Sequence, residues 1–168
     1  FGDKLVGRLS GGAWKPAMPY PGRVPRLKPA QGDPVVYFPT CGGRLFGPSH
    51  PDEASLSDTV QTLLIRAGYA PRLPRDCDRL CCGQMLASKG LAGEADAQAE
   101  ALTQALLEAS DGGRYPVILD ASACSARMKE YLGQRLTVLD FHEFAHDALL
   151  PRLRLAKQPG PVALHVNC

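Results

Sequence analysis

The chain has 168 residues, of which 45% are hydrophobic and 21% charged, and its formal net charge is +2. This length is sufficient to bury one sizeable core and typical of one domain. Basic residues alternate with acidic ones, so the chain lacks the concentrated positive charge of a nucleic-acid-binding protein. Its apolar runs are shorter than the roughly 20 residues that cross a bilayer. We therefore expect neither nucleic acid as a partner nor a transmembrane segment.

Residues 1–33 contain five prolines, six basic residues and two acidic residues. This composition disfavours helices and interior strands and predicts an extended arm or linker. Trp14 and Tyr20 are interpreted as isolated contacts of that arm. The first four residues have neither a start methionine nor a signal-peptide pattern, which favours a segment of a longer protein.

Residues 34–161 alternate between predicted strands and predicted helices. Apolar runs predict strands at 35–38, 69–74, 116–120 and 136–139, and periodic apolar positions predict helices at 55–67, 95–109, 127–132 and 140–150. Ser55 with Asp58, and Asp140 with Glu143, match helix-capping pairs. The alternation predicts an α/β fold with a mostly parallel sheet and helices on both faces.

A vicinal cysteine pair, Cys81-Cys82, lies near the middle of the chain and is followed by Gly83. Adjacent cysteines do not easily bond to each other, so the two thiols indicate a shared outside partner. Cys41 follows the first predicted strand and Cys124 follows the third. Because loops at the carboxyl ends of parallel strands converge, we expect the thiols to meet in a crevice at that edge of the sheet.

Four converging thiols predict a metal or iron-sulfur site. The expected ligands are Cys41, Cys81, Cys82 and Cys124, with Gly83 allowing the backbone to pass close to the bound group. Two other interpretations remain open: buried free cysteines that serve only as small hydrophobic residues, and a disulfide scaffold. The disulfide scaffold is disfavoured because this chain can build its own core, which favours a reduced, intracellular protein.

A second motif, His142-Glu143-x-x-His146, matches the zinc-binding pattern of metalloproteases. Glu143 is already explained as a capping residue, and no glutamate follows as a third ligand. We therefore interpret His142 and His146 as helix-surface residues, and His50 and His165 as structural, with no catalytic residue in this chain.

Residues 162–168 have the same pattern as residues 35–41, an apolar run that ends in a cysteine. This predicts that a second copy of the unit begins near residue 162.

The cysteine pattern resembles the cysteine-rich CCG domain, which heterodisulfide reductases and the iron-sulfur subunits of glycolate oxidases contain, usually as a tandem pair. The stretches at 35–41, 80–84, 88–90 and 120–124 are most similar to the C-terminal region of FAD-linked D-2-hydroxyacid dehydrogenases of the D-lactate and D-2-hydroxyglutarate type. The similarity covers about residues 34–168, as a first CCG unit (34–161) and the start of a second (162–168).

In heterodisulfide reductase each CCG unit holds a non-cubane iron-sulfur cluster through five cysteines, and the predicted ligands Cys41, Cys81, Cys82 and Cys124 match four of them. The fifth falls on Ala121, so the resemblance implies a cluster with four protein thiolates, such as an ordinary four-iron cluster, or tetrahedral zinc as the alternative. Cys77 lies outside the motif and is interpreted as a spare thiol, and Cys168 matches the first ligand of the second unit.

The resemblance further implies that this segment transfers electrons from flavin to an acceptor and is not catalytic alone. FAD is expected elsewhere in the parent polypeptide, and the expected partners are its flavin and ferredoxin-like domains and a second CCG unit. The expected location is the cytoplasm, with membrane association through the parent enzyme left open. Two alternatives remain: a zinc-binding structural module, and a thiol-disulfide redox domain in which the vicinal pair reacts.

Overall fold

The computed structural model describes residues 22–23, 25–48, 50, 52–157, 159–161 and 163. Over these residues the chain forms one parallel sheet with the strand order β2-β1-β3-β4. The strands are β1 (Asp33–Phe38), β2 (Tyr69–Arg72), β3 (Val117–Leu119) and β4 (Val138–Asp140). The predicted α/β fold with a parallel sheet is therefore confirmed.

The helices of the described chain connect these strands. They are α1 (Cys41–Leu45), α2 (Leu56–Arg66), α3 (Gln84–Ala87), α4 (Ala92–Ala109), α5 (Ser122–Leu132) and α6 (Phe141–Phe144), followed by a π-helical turn (Ala145–Leu149) and a 3-10 turn (Leu150–Arg152). Each long connection between parallel strands contains at least one helix, as parallel pairing requires.

Alternate side chains of β1 enter two separate cores, one on each face of the sheet. Val36 and Phe38 pack in a cluster with apolar residues of α4 and α5. Val35 and Tyr37 pack in a second cluster with α2 and the C-terminal helical turns. All four side chains are 0–1% exposed, and full burial of each apolar one is worth about 1.5–3 kcal/mol. Helices thus cover both faces, as predicted.

Local signals explain the helix ends that were predicted correctly. Ser55 caps α2 by accepting a hydrogen bond from the Asp58 N–H at 3.1 Å. Gly68, just beyond the helix, has a φ of 83°, a conformation in which glycine has no steric penalty. Asp140 and Glu143 form the predicted capping box at the start of α6.

Several predicted boundaries are wrong. The helix expected at 127–132 begins at Ser122, and the helix expected at 140–150 changes to π-helical and then 3-10 geometry after Phe144. The short helices α1 and α3 were not predicted. Strand β2 forms despite Pro71, because β2 lies at the edge of the sheet. A proline, which has no N–H to donate, is tolerated in an edge strand.

Part of the predicted arm, residues 22–23 and 25–32, forms neither helix nor strand. Trp14, Tyr20, His165 and Cys168 lie outside the described residues, as does most of the predicted second unit.

The strand order places a topological switch point between the carboxyl ends of β1 and β3, and we call this part of the sheet edge the crevice. After β1 the chain crosses to β2 on one side, and after β3 it continues to β4 on the other. Because the two connections diverge here, this is the place where parallel α/β sheets commonly bind their ligands. Cys41 follows β1 and Cys124 follows β3, so both flank this crevice.

Candidate thiolate site at the carboxyl edge of the sheet

Three connections bring the predicted ligands to this crevice. Cys41 is the first residue of α1, directly after β1, and Cys124 lies in the first turn of α5, after β3. Cys81 and Cys82 lie in the loop between β2 and α3. We call Cys41, Cys81, Cys82 and Cys124 the four-thiol site. Two of them were expected in loops but lie at helix starts, because neither α1 nor α5 has a side-chain cap that would mark its beginning.

The four thiols meet as two pairs. Cys82 Sγ lies 2.9 Å from Cys124 Sγ, and the two residues are only 2% and 8% exposed. Cys81 has Cys41 as its other neighbour, and the Cys41 thiol lies close enough to add to the rise that burial causes in the pKa of Cys81. The vicinal cysteines therefore point to different partners, as the geometry of adjacent residues requires, and each partner comes from the end of a central strand.

Proton sharing distinguishes the two members of the buried pair. The hydrogen bond from Cys124 lowers the pKa of the Cys82 thiol to about 6 against the effect of burial, and the Gln84 N–H and Arg127 act in the same direction. The same hydrogen bond, together with burial, raises the pKa of the Cys124 thiol. The pair thus holds one proton on Cys124 and a thiolate on Cys82 near neutral pH.

Gly83 supports the other sulfur of the vicinal pair. Its N–H donates to Cys81 Sγ at 3.4 Å, although burial still raises the pKa of the Cys81 thiol. Gly83 has a φ of 77°, and a Cβ at this position would lie 2.2 Å from the carbonyl oxygen of Ala95. Only glycine fits here, because α4 packs directly against the backbone that carries the cysteines.

Two arginines hold the cysteine loop from opposite sides, and sequence analysis missed both. Arg44 donates to the carbonyl oxygens of Cys77 and Leu80. Arg127 Nε donates to the carbonyl oxygen of Cys82 at 2.8 Å. The sequence spacing could have indicated both residues, because each arginine follows a cysteine of the four-thiol site by three residues. Residues with this spacing lie on the same face of a helix.

Cys77 differs from the four-thiol site. It is 6% exposed and packs within the hydrophobic core, and burial raises the pKa of its thiol. Ala121 lies immediately before α5, so the position at which the resemblance would put a fifth ligand is close to Cys124 but offers no thiol. All five described cysteines are free.

The donor set fits a thiophilic metal group, although the sulfurs are not arranged as a metal shell. Across the residues that the structure describes, no group of three or more His, Cys, Asp or Glu side chains has the geometry to hold a metal ion. In tetrahedral zinc the Zn–S distance of about 2.3 Å puts sulfurs about 3.8 Å apart, whereas Cys82 and Cys124 are 2.9 Å apart. A bound group would replace the hydrogen bond of this pair and separate its two sulfurs.

The His142-Glu143-x-x-His146 motif belongs to a helix start. Glu143 accepts a hydrogen bond from the Asp140 N–H at 2.9 Å and pairs with Lys129. The side chains of His142 and His146 are 83% and 81% exposed. The helix changes to π geometry between them, so they are surface residues as predicted.

The fold and site define a class: an α/β protein whose four-thiol site lies at the switch point of a parallel sheet. Comparisons with protein-family models, with characterised proteins and with solved structures find no match to this chain. None of the described helices is both long enough and apolar enough to span a membrane.

Proposed function

We propose that this chain binds an iron-sulfur cluster through Cys41, Cys81, Cys82 and Cys124 and transfers electrons through it. The observation that supports this most strongly is the convergence of four thiols from three connections at the crevice between β1 and β3. A thiolate ligand set is the usual way in which proteins hold such clusters. When bound, the cluster supplies a centre that accepts and releases single electrons.

The surrounding residues favour the thiolate state, which ligation requires, at Cys82. The N–H groups of Gly83 and Gln84 donate toward the sulfurs of Cys81 and Cys82, and hydrogen bonds to cluster sulfurs tune reduction potentials. Burial of Cys82 and Cys124 excludes water from one side of the site. Cys41 and Cys81 are more exposed, which gives an entry path for the metal.

At the level of the whole protein, we propose a segment of an FAD-linked D-2-hydroxyacid dehydrogenase of the D-lactate type. The support is the sequence resemblance to CCG domains. Hydroxyacid oxidation would take place at FAD outside this chain, and electrons would pass to the cluster and then to an acceptor. The partners would be the flavin and ferredoxin-like domains and a second CCG unit, in the cytoplasm. This segment would contain no catalytic residue of its own.

A zinc-binding structural module is the second candidate. It is favoured by the compactness of the site, because the 2.9 Å contact between Cys82 and Cys124 is nearer to the spacing around a single tetrahedral ion than to that around a larger cluster. Zinc has no redox chemistry, so this candidate predicts a colourless protein. A thiol-disulfide redox domain is favoured by the same contact and predicts a metal-free protein that cycles between two thiols and a disulfide.

Anaerobic purification of the full chain, followed by metal analysis and a visible spectrum, separates these functions. We expect iron, sulfide and broad charge-transfer absorption. Cys81→Ser and Cys82→Ser should lose the iron and the absorption, whereas Cys77→Ser, which alters a buried thiol outside the site, should keep both. Zinc without iron would support the structural module, and a metal-free protein with a Cys82–Cys124 disulfide would support the redox domain. Equal iron in all three variants would refute the ligand assignment.

A further inference from the structure

Arg44 holds a guanidinium group in the interior without a carboxylate partner among the described residues. The residue is 8% exposed. Its two terminal nitrogens donate to the carbonyl oxygens of Cys77 and Leu80, while Nε is buried without an acceptor. None of the ion pairs found in the described part of the chain involves Arg44.

Such a cation is costly unless negative charge lies close to it. Removing an ion from water costs several kcal/mol even after the protein relaxes, and neutral carbonyls return only part of this. The guanidinium also lies 5.4 Å from the centre of the Phe38 ring, a modest favourable contact. The positive charge of Arg44 is therefore only partly compensated, and an anion bound nearby would stabilise it.

Arg44 places this charge beside the loop that carries Cys81 and Cys82, where it opposes the rise that burial causes in the pKa of the neighbouring Cys77 thiol. Arg44 follows Cys41 by three residues on α1, and its carbonyl partners belong to the loop that leads into Cys81. It therefore connects the helix that carries one thiol to the loop that carries two others.

Arg127 makes the equivalent connection from α5, three residues after Cys124, by donating to the carbonyl oxygen of Cys82 at 2.8 Å. Its charge, however, is paired with Asp96 at 2.8 Å. In both Cys-x-x-Arg segments the arginine thus donates to carbonyl oxygens of the same loop. The two arginines differ in charge pairing, because within the described structure Arg127 has a carboxylate partner and Arg44 does not.

We propose that Arg44 is a positioning and charge-balancing residue that offsets the net negative charge of metal-bound thiolates and so makes the site select an anionic metal-thiolate group. Four thiolates bound to a divalent ion, or to an oxidised four-iron cluster, carry excess negative charge. Arg44 lowers the cost of burying that charge and holds the loop in place. Arg127 also holds the loop, and its charge, which favours the Cys82 thiolate, is shared with Asp96. This inference rests on the proposed metal-binding function.

The test uses Co²⁺ as a probe in the full, reduced, metal-free chain. Thiolate-to-cobalt absorption reports binding, and competition with a chelator gives the affinity. Arg44→Gln and Arg44→Lys both retain hydrogen-bond donors, and they differ in charge. We expect Arg44→Gln to weaken Co²⁺ binding roughly 10- to 100-fold, the range for residues that support metal ligands from outside the shell. Arg44→Lys should stay much closer to the parent chain.

Further variants separate charge from loop support. Arg127→Gln, which removes one loop contact and a cation that Asp96 already pairs with, should weaken binding less than Arg44→Gln. Arg135→Gln, at an exposed ion pair, should leave binding unchanged. After iron loading, the midpoint potential of Arg44→Gln should move to more negative values, because a positive charge near the centre favours the reduced state. Loss of loop support alone would not predict this shift.

Two outcomes would overturn the inference in distinguishable ways. In the first outcome, Arg44→Gln and Arg44→Lys bind Co²⁺ equally, either as tightly as the parent chain or both more weakly. The charge of Arg44 would then have no role in binding, although the proposed metal site itself would not be contradicted. If the parent chain itself binds neither Co²⁺ nor iron, the proposed metal-binding function fails and the role of Arg44 fails with it.

Discussion

The hydroxyl of Tyr37 donates a hydrogen bond to Asp120 Oδ2 at 2.7 Å and thereby ties the carboxyl end of β1 to that of β3. The second carboxylate oxygen of Asp120 accepts from the Thr40 N–H at 2.9 Å. Tyr37 is fully buried, and burial followed by the charge of Asp120 raises its pKa, so the phenol remains a donor. This contact therefore links the two strand ends that Cys41 and Cys124 follow.

Replacing Asp120 with alanine should therefore destabilise the sheet edge. Two hydrogen bonds to a charged acceptor would be lost and the Tyr37 hydroxyl would be left buried without its partner, so we expect a loss of about 3 kcal/mol in the free energy of unfolding. Urea denaturation of the metal-free protein measures it. Glu108→Ala, which removes an exposed ion pair with Arg75, should change stability by less than about 1 kcal/mol. Equal effects of the two substitutions would contradict the role of Asp120.

Gly83 and Gly90 provide a matched pair for testing the close approach of α4. Both have positive φ angles, 77° and 80°, but a Cβ on Gly83 would lie 2.2 Å from the Ala95 carbonyl oxygen, whereas a Cβ on Gly90 meets nothing within 4 Å. Gly90→Ala should cost about 1–2 kcal/mol, the penalty for the left-handed conformation. Gly83→Ala should cost clearly more and should also reduce metal binding.

Urea denaturation and metal analysis of both glycine variants test this expectation. Equal costs for Gly83→Ala and Gly90→Ala would mean that the backbone near Cys81 and Cys82 moves away from α4 without penalty.

The sequence predicts the parallel sheet because its determinants are local. The β-branched and aromatic run at 35–38 forms β1, and Ser55 with Asp58 and Gly68 marks both ends of α2. Parallel topology then brings the carboxyl strand ends together, which is why the convergence of Cys41, Cys81-Cys82 and Cys124 follows from strand positions alone.

Other features depend on tertiary contacts and therefore escaped prediction. Helix α5 begins at Ser122 without a capping side chain, so nothing in the local sequence marks its start, and Cys124 was expected in a loop. The pairing of Cys82 with Cys124 and of Cys81 with Cys41 depends on the direction of each side chain. The contacts of Arg44 and Arg127 with loop carbonyls join residues about 30 to 45 positions apart, beyond the reach of periodicity.

The His142-Glu143-x-x-His146 segment should prove structural. Glu143→Ala removes half of the capping box and the ion pair with Lys129, and we expect it to lower the free energy of unfolding by about 1 kcal/mol. His142→Ala and His146→Ala should change it by less than about 0.5 kcal/mol, as exposed side chains usually do. Metal analysis should give the same content for all three variants as for the parent chain. Loss of metal from either histidine variant would contradict this interpretation.

The shared proton of Cys82 and Cys124 should make the stability of the reduced, metal-free protein depend on pH. The pKa of Cys82 is lowered to about 6, whereas that of Cys124 is raised above its ordinary value of 9.0. Between about pH 6 and pH 9 the folded pair holds one proton and the unfolded thiols hold two. Because the unfolded state binds more protons, the free energy of unfolding should rise with pH over this range. Above the ordinary thiol pKa the folded state binds more protons than the unfolded state, because the unfolded thiols lose both protons and the folded pair keeps one. The free energy of unfolding should therefore fall again at high pH.

Urea denaturation across this pH range measures the effect, and two alanine variants isolate it. Cys124→Ala removes the donor that stabilises the Cys82 thiolate, so the rise in stability between about pH 6 and pH 9 should largely disappear. Cys77→Ala removes a buried thiol outside the pair and should retain the rise, whatever its overall cost in stability. The groups that all three proteins share contribute equally and cancel in the comparison. An equal pH dependence in Cys124→Ala and the parent chain would mean that the pair does not share a proton in the folded state.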